Sequence, residues 1–213
     1  MKNILQEICD NKLLEIAKAK NTMPFEELKK ITLEKNYQPK GFFNSLLEKK
    51  LNKQPALIAE IKKKSPSKGI IRENFDPIAI ANSYQKAGAS CISVLTDERY
   101  FAGKNEYLQQ VRNSVNLPII RKDFILDEYQ IYEAKYLGAD CILLIIACLE
   151  EAQAMQLESV ALSLGLDVLI EVHDEAELET ALKMRSKMVG VNNRNLKTME
   201  ISLQNSINLA KKI

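Results

Sequence analysis

A chain of 213 residues with 46% hydrophobic side chains can bury a large core, and it is long for one ordinary domain yet short for two. Its 30 basic and 28 acidic residues leave a formal charge of +2, which excludes the basic footprint of a nucleic-acid-binding protein but admits a small anionic substrate. Charges run through the first residues with no long apolar stretch, so neither a signal peptide nor a membrane span is predicted.

Leu5, Cys9, Leu13, Ile16 and Ala17 fall on one helical stripe, predicting an amphipathic helix that stops near Asn21-Thr22-Met23-Pro24. Thr22 is expected to cap the next helix, with Pro24 in its first turn. That second helix carries Phe25, Leu28 and Ile31; a third, after Pro39-Lys40-Gly41, carries Phe42, Phe43, Leu46 and Leu47. Residues 1–54 thus read as a helical extension packed on a main body of residues 55–213.

From Ala56 the pattern becomes strand, loop, helix, repeated. Ala56, Leu57, Ile58, Ala59 and Ile61 form a near-continuous apolar run, suited to a parallel strand covered on both faces. Glu60 and Lys62 interrupt it, and alternation sends both to the face of Ile58. A carboxylate and an ammonium on an apolar strand face are costly unless that face opens into a cavity where they act. Ser65-Pro66-Ser67-Lys68-Gly69 then has the residues of a shaped loop. Further strands are predicted from Cys91 to Leu95, Pro118 to Arg121, Cys141 to Ile146, Val168 to Val172 and Met188 to Val191. Between them come helices from Asp76-Pro77 to Gly88, Asn105 to Asn113, Glu128 to Leu137, through Leu157, Val160, Ala161 and Leu164, and from Glu175 to Leu182. Leu203, Ile207 and Ala210 mark a last helix.

Six strands alternating with helices predict a parallel α/β protein, either an open doubly wound sheet or a (β/α) barrel. Polar residues favour the barrel: Glu60, Lys62, Lys122, Glu171, Asn192 and Arg194 all end strands, and a barrel brings such ends to one mouth. No GxGxxG or GxxxxGK follows any strand to cradle a nucleotide. Two lysines and two glutamates at one mouth can run acid and base steps on an anionic substrate without metal or cofactor. Asn192-Asn193-Arg194-Asn195, taken alone, reads as a turn. His173, the lone histidine, is expected to have a structural or solvated role rather than a catalytic one. Tyr100 and Phe101 belong either to the core or to the wall of an aromatic pocket. Cys9, Cys91, Cys141 and Cys148 show no CxxC spacing and read as buried free thiols in a reducing, cytoplasmic setting.

The segments ALIAEIKKKSPSKG, SVLTDERYFAG, LPIIRKDFILDEYQIYEAKYLGAD, LIEVHDEAEL and GVNNRNL resemble those of indole-3-glycerol-phosphate synthase, from about residue 4 to the end. The resemblance implies a (β/α)8 TIM barrel with an N-terminal helical extension and no metal or cofactor. It also implies a decarboxylating lyase of tryptophan biosynthesis, acting on 1-(2-carboxyphenylamino)-1-deoxyribulose 5-phosphate. Carried onto this sequence, it makes Glu60, Lys62, Lys122 and Glu171 the catalytic set, with Ser65, Pro66, Phe101, Phe124, Asn192 and Arg194 around the substrate. Lys122 or Lys62 is the expected first acid, Glu171 serves the later proton transfer, and Glu60 orients Lys62. The implied partner is a small phosphorylated aromatic substrate, with no nucleic acid and no membrane, and a complete barrel of this kind is expected to be a monomer.

The family barrel has eight strands and this pattern supplies six. No glycine follows Gly190, so the glycine-containing loops that grip the substrate phosphate in the family are not expected here. Strands one and six would be left with unpaired edges and wet lumen side chains. The pattern reads as a shortened form of a longer enzyme, ahead of completion by another polypeptide or by self-association with a second copy. Two rivals stand beside the synthase: a phosphoribosylanthranilate isomerase, which lacks the helical extension and leaves the strand-one and strand-three lysines unexplained, and a non-catalytic barrel fragment that only binds.

Overall fold

A computed structural model describes residues 4–194 and 201–213 of the chain. Among the described residues, its main sheet has six parallel strands: β1 (Ile58–Ile61), β2 (Cys91–Leu95), β3 (Ile119–Lys122), β4 (Cys141–Ile145), β5 (Asp167–Val172) and β6 (Met188–Val191). They pair strictly in chain order. A doubly wound sheet reverses its order at a switch point and covers both faces with helices. Because parallel crossovers share one hand, unbroken sequential order keeps the helices on one face and curls the other inward. The sheet is therefore a curled half-barrel of the TIM type.

Side-chain burial follows from that curl. β2 and β4 are buried at every position, whereas β1 and β5 alternate between half-buried and buried. Outward residues such as Ile92, Val94, Ile142 and Leu144 join the larger core beneath the helices. Inward residues Cys91, Ile120, Cys141, Leu143, Ile145 and Met188 form a smaller core around Phe42. Central strands with two covered faces read as unbroken apolar runs, while the end strands β1 and β6 face a more open interior.

The helices are α1 (Ile4–Thr22), α2 (Phe25–Glu34), α3 (Phe42–Leu51), α4 (Pro77–Lys86), α5 (Asn105–Ser114), α6 (Glu128–Leu137), α7 (Glu151–Ser163), α8 (Glu175–Lys183) and α9 (Gln204–Leu209). Asp76, Asp127 and Asp174 cap α4, α6 and α8 through their carboxylates, and Asp127 completes a capping box with Gln130. Gly138 ends α6 at φ 93°, a left-handed conformation that an L side chain resists.

α3 closes the amino-terminal end of the arc. Phe42 is fully buried there, and Phe43 N donates to Asp167 Oδ2 at 2.9 Å. Asp140 joins the helical extension to the sheet. Its carboxylate accepts from Tyr37 Oη at 2.6 Å, Lys40 N at 2.7 Å, Arg112 at 2.7 Å and Ile119 N at 2.6 Å.

Four local expectations change. The buried face of α1 consists of Leu5, Ile8, Cys9, Lys12 and Ile16, and Leu13 is 53% exposed. The stripe is rotated because Lys12 finds buried carboxylate partners. Thr22 does not cap α2: its hydroxyl donates back to Lys18 O, and α2 starts after Pro24 without a side-chain cap. β1 begins at Ile58, since Leu57 is 55% exposed and the chain is still entering the sheet. In α9 the buried residue is Leu209, while Leu203, Ile207 and Ala210 face outward.

Candidate active site

The carboxy-terminal strand ends converge on a cavity of about 410 Å3. β1 ends with Glu60 and Lys62, β3 with Lys122 and β5 with Glu171, each aimed inward by alternation. Glu60 bridges the lysines: Oε1 accepts from Lys62 Nζ, and Oε2 accepts from Lys122 Nζ at 2.7 Å. Burial works against charge on Glu60, but Lys122 and Lys62 outweigh it and hold the carboxyl below the usual glutamate range. Glu60 therefore stays ionised between two ammonium groups. Farther round the arc, Glu171 Oε1 accepts from Asn192 Nδ2 at 2.9 Å.

The walls come from loops. After β1 a two-residue hairpin pairs Lys64–Ser65 with Gly69–Ile70 and sets Ser65, Pro66, Ser67 and Lys68 over the cavity. After β2, Asp97 caps a one-turn helix, Glu98–Phe101. The chain then returns beneath it at Gly103, where any Cβ would lie 2.4 Å from Leu95 O, so glycine is required. Phe101 from this turn and Phe124 after β3 stand with ring centroids 6.3 Å apart. The open choice between core and pocket is divided: Phe101 lines the cavity, whereas Tyr100 is buried with its hydroxyl 3.0 Å from Glu7 Oε1.

All ten residues singled out from the sequence, Glu60, Lys62, Ser65, Pro66, Phe101, Lys122, Phe124, Glu171, Asn192 and Arg194, line this one cavity. Arg194 N donates to Asn192 Oδ1, consistent with a turn, and Asn195 lies outside the described residues. Leu95, Leu143 and Ile145 also line it, and their inward positions on β2 and β4 were available as a signal. Ile4, Leu5 and Ile8 of α1 line it too, with no sequence signal that α1 reaches the mouth. A separate cleft of about 450 Å3 borders α1 beside Glu15, Lys18, Glu133 and Tyr136; it shares Asp123 with the first but none of the four catalytic candidates.

His173 is a structural residue, and not a solvated one. Its ring is 10% exposed, with Nδ1 3.0 Å from Glu177 Oε2 and Nε2 3.5 Å from Glu171 Oε1. Burial disfavours the imidazolium, but Glu177 and Glu171 prevail and raise the histidine above its ordinary range. A raised folded-state value adds stability that is complete below the unfolded value and is lost as pH rises through the folded one. Replacing His173 by Gln should therefore cost more stability at about pH 6 than at about pH 9. Urea midpoints measure this, and an equal cost at both pH values would remove the charge linkage.

A half-barrel with acid, base and aromatic groups gathered at the carboxy-terminal strand ends has the layout of a TIM-barrel enzyme, whose active sites occupy that face. Comparison of the sequence with protein families matches residues 5–213 to the model described as indole-3-glycerol phosphate synthase. The chain belongs to the indole-3-glycerol phosphate synthase family, decarboxylating lyases of tryptophan biosynthesis. It is 51% identical to the indole-3-glycerol phosphate synthase of Polaromonas sp. (strain JS666 / ATCC BAA-500), over all of this chain and 80% of that one. It is 47% identical to the same-named protein of Delftia acidovorans (strain DSM 14801 / SPH-1), covering 81% of that protein. Among solved structures, tryptophan synthase subunit alpha from Legionella pneumophila str. Paris matches with a TM-score of 0.57 at 14% identity, over 80% of this chain and 73% of that one, a likeness of fold alone.

Proposed function

We propose that Glu60, Lys62, Lys122 and Glu171 carry out the synthase reaction at this mouth, converting 1-(2-carboxyphenylamino)-1-deoxyribulose 5-phosphate to indole-3-glycerol phosphate. The observation that carries this reading is the single carboxylate of Glu60 between two ammonium groups, facing Glu171 across one cavity.

Ring closure forms a bond between the carboxylate-bearing ring carbon and the ketone carbon of the sugar chain. The ketone oxygen gains charge as the bond forms, and an ammonium within hydrogen-bond reach supplies the proton that makes it a hydroxyl. Lys122 is the first acid in this reading, because it shares a face and a loop with Phe124, which holds the aromatic half of the substrate with Phe101. Carbon dioxide leaves, and its bonding electrons restore the aromatic ring. The new hydroxyl then departs as water with a proton from an ammonium, and a base takes the proton from the neighbouring carbon to complete the indole. Glu171, oriented by Asn192, is that base. Glu60 holds both lysines aligned, and Lys62, Lys68 and Arg194 draw the anionic substrate inward. The four free thiols suit a reducing compartment, and the cytoplasm is the proposed location.

The test is turnover by the purified 213-residue chain, followed by indole fluorescence, which is clear of tryptophan because the chain has none. Product that disappears in a Glu171→Gln variant supports the assignment. Substrate binding without product would leave a protein that only binds.

A further inference from the structure

Lys12 stands where the apolar stripe of α1 calls for a hydrophobic side chain, between the buried residues Cys9 and Ile16. Its side chain is 5% exposed, and its ammonium lies 2.9 Å from Asp123 Oδ1, 3.0 Å from Asp97 Oδ2 and 2.6 Å from Glu15 Oε2. Asp97 and Asp123 are still more deeply buried. Apart from Lys12 at 3.0 Å, no donor reaches Asp97 Oδ2 among the described residues, so this oxygen relies on the lysine.

Each aspartate governs a loop of the catalytic mouth. Asp97 Oδ1 accepts from Tyr100 N at 2.8 Å and so starts the turn that presents Phe101. Asp123 sits between Lys122 and Phe124; its Oδ1 accepts from Phe124 N at 2.9 Å, and its Oδ2 accepts from Thr96 Oγ1 at 2.6 Å and approaches Arg121 at 3.3 Å. Alternation turns Arg121 and Asp123 outward where Lys122 and Phe124 turn inward. The outer pair thereby fixes the inner one. Resting on the synthase reading, we propose that Lys12 is a positioning residue for the reaction, its buried ammonium pinning Asp97 and Asp123 together so that Phe101, Lys122 and Phe124 keep their places.

Stability alone does not account for such a group. Well-packed apolar side chains commonly match or exceed a buried ion cluster in stability, whereas paired charges fix geometry. Burial opposes charge on Lys12, but Asp123 and Asp97 overcome it and raise the lysine above its ordinary range. Burial also pushes Asp97 upward against the pull of Lys12, so this carboxylate depends on its cation. Without Lys12, Arg121 still pairs with Asp123 and Glu133, but Asp97 loses its cation, and the two aspartates repel across the gap between the loops.

The experiment compares Lys12→Met with the double variant Lys12→Met/Asp97→Asn in the full chain. Methionine keeps the bulk and removes the charge; the asparagine side chain keeps the Oδ1 cap and places an amide donor beside Asp123. Lys12→Met is expected to lower kcat on the order of 100-fold with KM little changed, since displacement of a catalytic group by about 1 Å has that effect. It is also expected to speed amide exchange at Phe124. The double variant should bring both readouts back to within about threefold of the parent chain, which a purely structural lysine does not predict. Lys20→Ala, at a half-exposed pair on the same helix, serves as the control and should change neither.

A double variant as impaired as Lys12→Met would overturn the proposal, and so would Lys12→Met with unchanged exchange at Phe124. Should Lys12→Met not fold, the double variant decides on its own: with kcat and Phe124 exchange near the parent's, the charge balance is what matters. Exchange is read without substrate. A parent chain that turns nothing over would sink the synthase reading while Phe124 exchange still decides the role of Lys12.

Discussion

Lys122→Met is expected to lose about 1,000-fold in turnover while KM changes by no more than about threefold, the pattern of a general acid needed only as charge develops. The expectation rests on geometry. Lys122 Nζ is held 2.7 Å from Glu60 Oε2 at the end of β3, and neither the aromatic wall nor Asn192 depends on it. Methionine preserves the stem, so substrate affinity should survive. The loss of one counter-charge should let the carboxyl of Glu60 rise toward the ordinary glutamate range, because Lys122 is the foremost of the groups that depress it. The acid limb of any remaining activity should move to higher pH accordingly, as Glu60 then protonates sooner when pH falls. Steady-state kinetics across pH measure both effects. Near-normal turnover in Lys122→Met would pass the role of first acid to Lys62.

The second large effect concerns the opposite end of the arc. Asp140→Ala should cost about 3–5 kcal/mol of folding stability, the usual consequence of removing one partner from a buried ion pair. Asp140 is fully buried, and its loss strands the Arg112 guanidinium together with the Tyr37 hydroxyl and two backbone donors, Lys40 N and Ile119 N. Asp140→Asn should recover part of the loss by keeping an acceptor. Lys183→Ala, which breaks an exposed pair with Glu151, should leave the urea midpoint where it was. If Asp140→Ala unfolds at the parent midpoint, the network is not holding the helical extension to the sheet.

Much of this architecture is legible because each strand is a short apolar run set between turn and cap residues. Cys91–Leu95 and Met188–Val191 were predicted with the bounds the fold shows, and α6 likewise, between an aspartate cap and Gly138. Charged residues at the ends of such strands stand out against their neighbours, which is why Glu60, Lys122 and Glu171 were found together. What stayed hidden depends on partners far away in sequence. Nothing local marks Lys12 as buried until Asp97 and Asp123 are placed beside it, and a stripe drawn through apolar residues alone runs over Leu13 instead. His173 stands two positions beyond Glu171 and so shares its face, with its ring 3.5 Å from that carboxylate, and Glu177 on α8 closes the other side and keeps the ring out of water. Thr22 had two hydrogen-bonding options, and the turn behind it won.

The sequential order of the sheet bears on how the molecule assembles. Each strand pairs with the next along the chain, so the sheet can grow by successive short closures, each with a small entropic cost. The amino-terminal helices close much longer loops: Phe43 meets Asp167 across 124 positions and Lys20 meets Asp127 across 107. Docking of these helices is therefore the natural late event. Substitutions at their anchors should speed unfolding while leaving the refolding rate almost unchanged, and stopped-flow kinetics on Lys20→Ala and on Phe42→Ala, which removes the fully buried ring of α3, would reveal the opposite pattern if the helices nucleate folding instead. Since α1 also lines the cavity, a newly made molecule would acquire its sheet before its catalytic mouth.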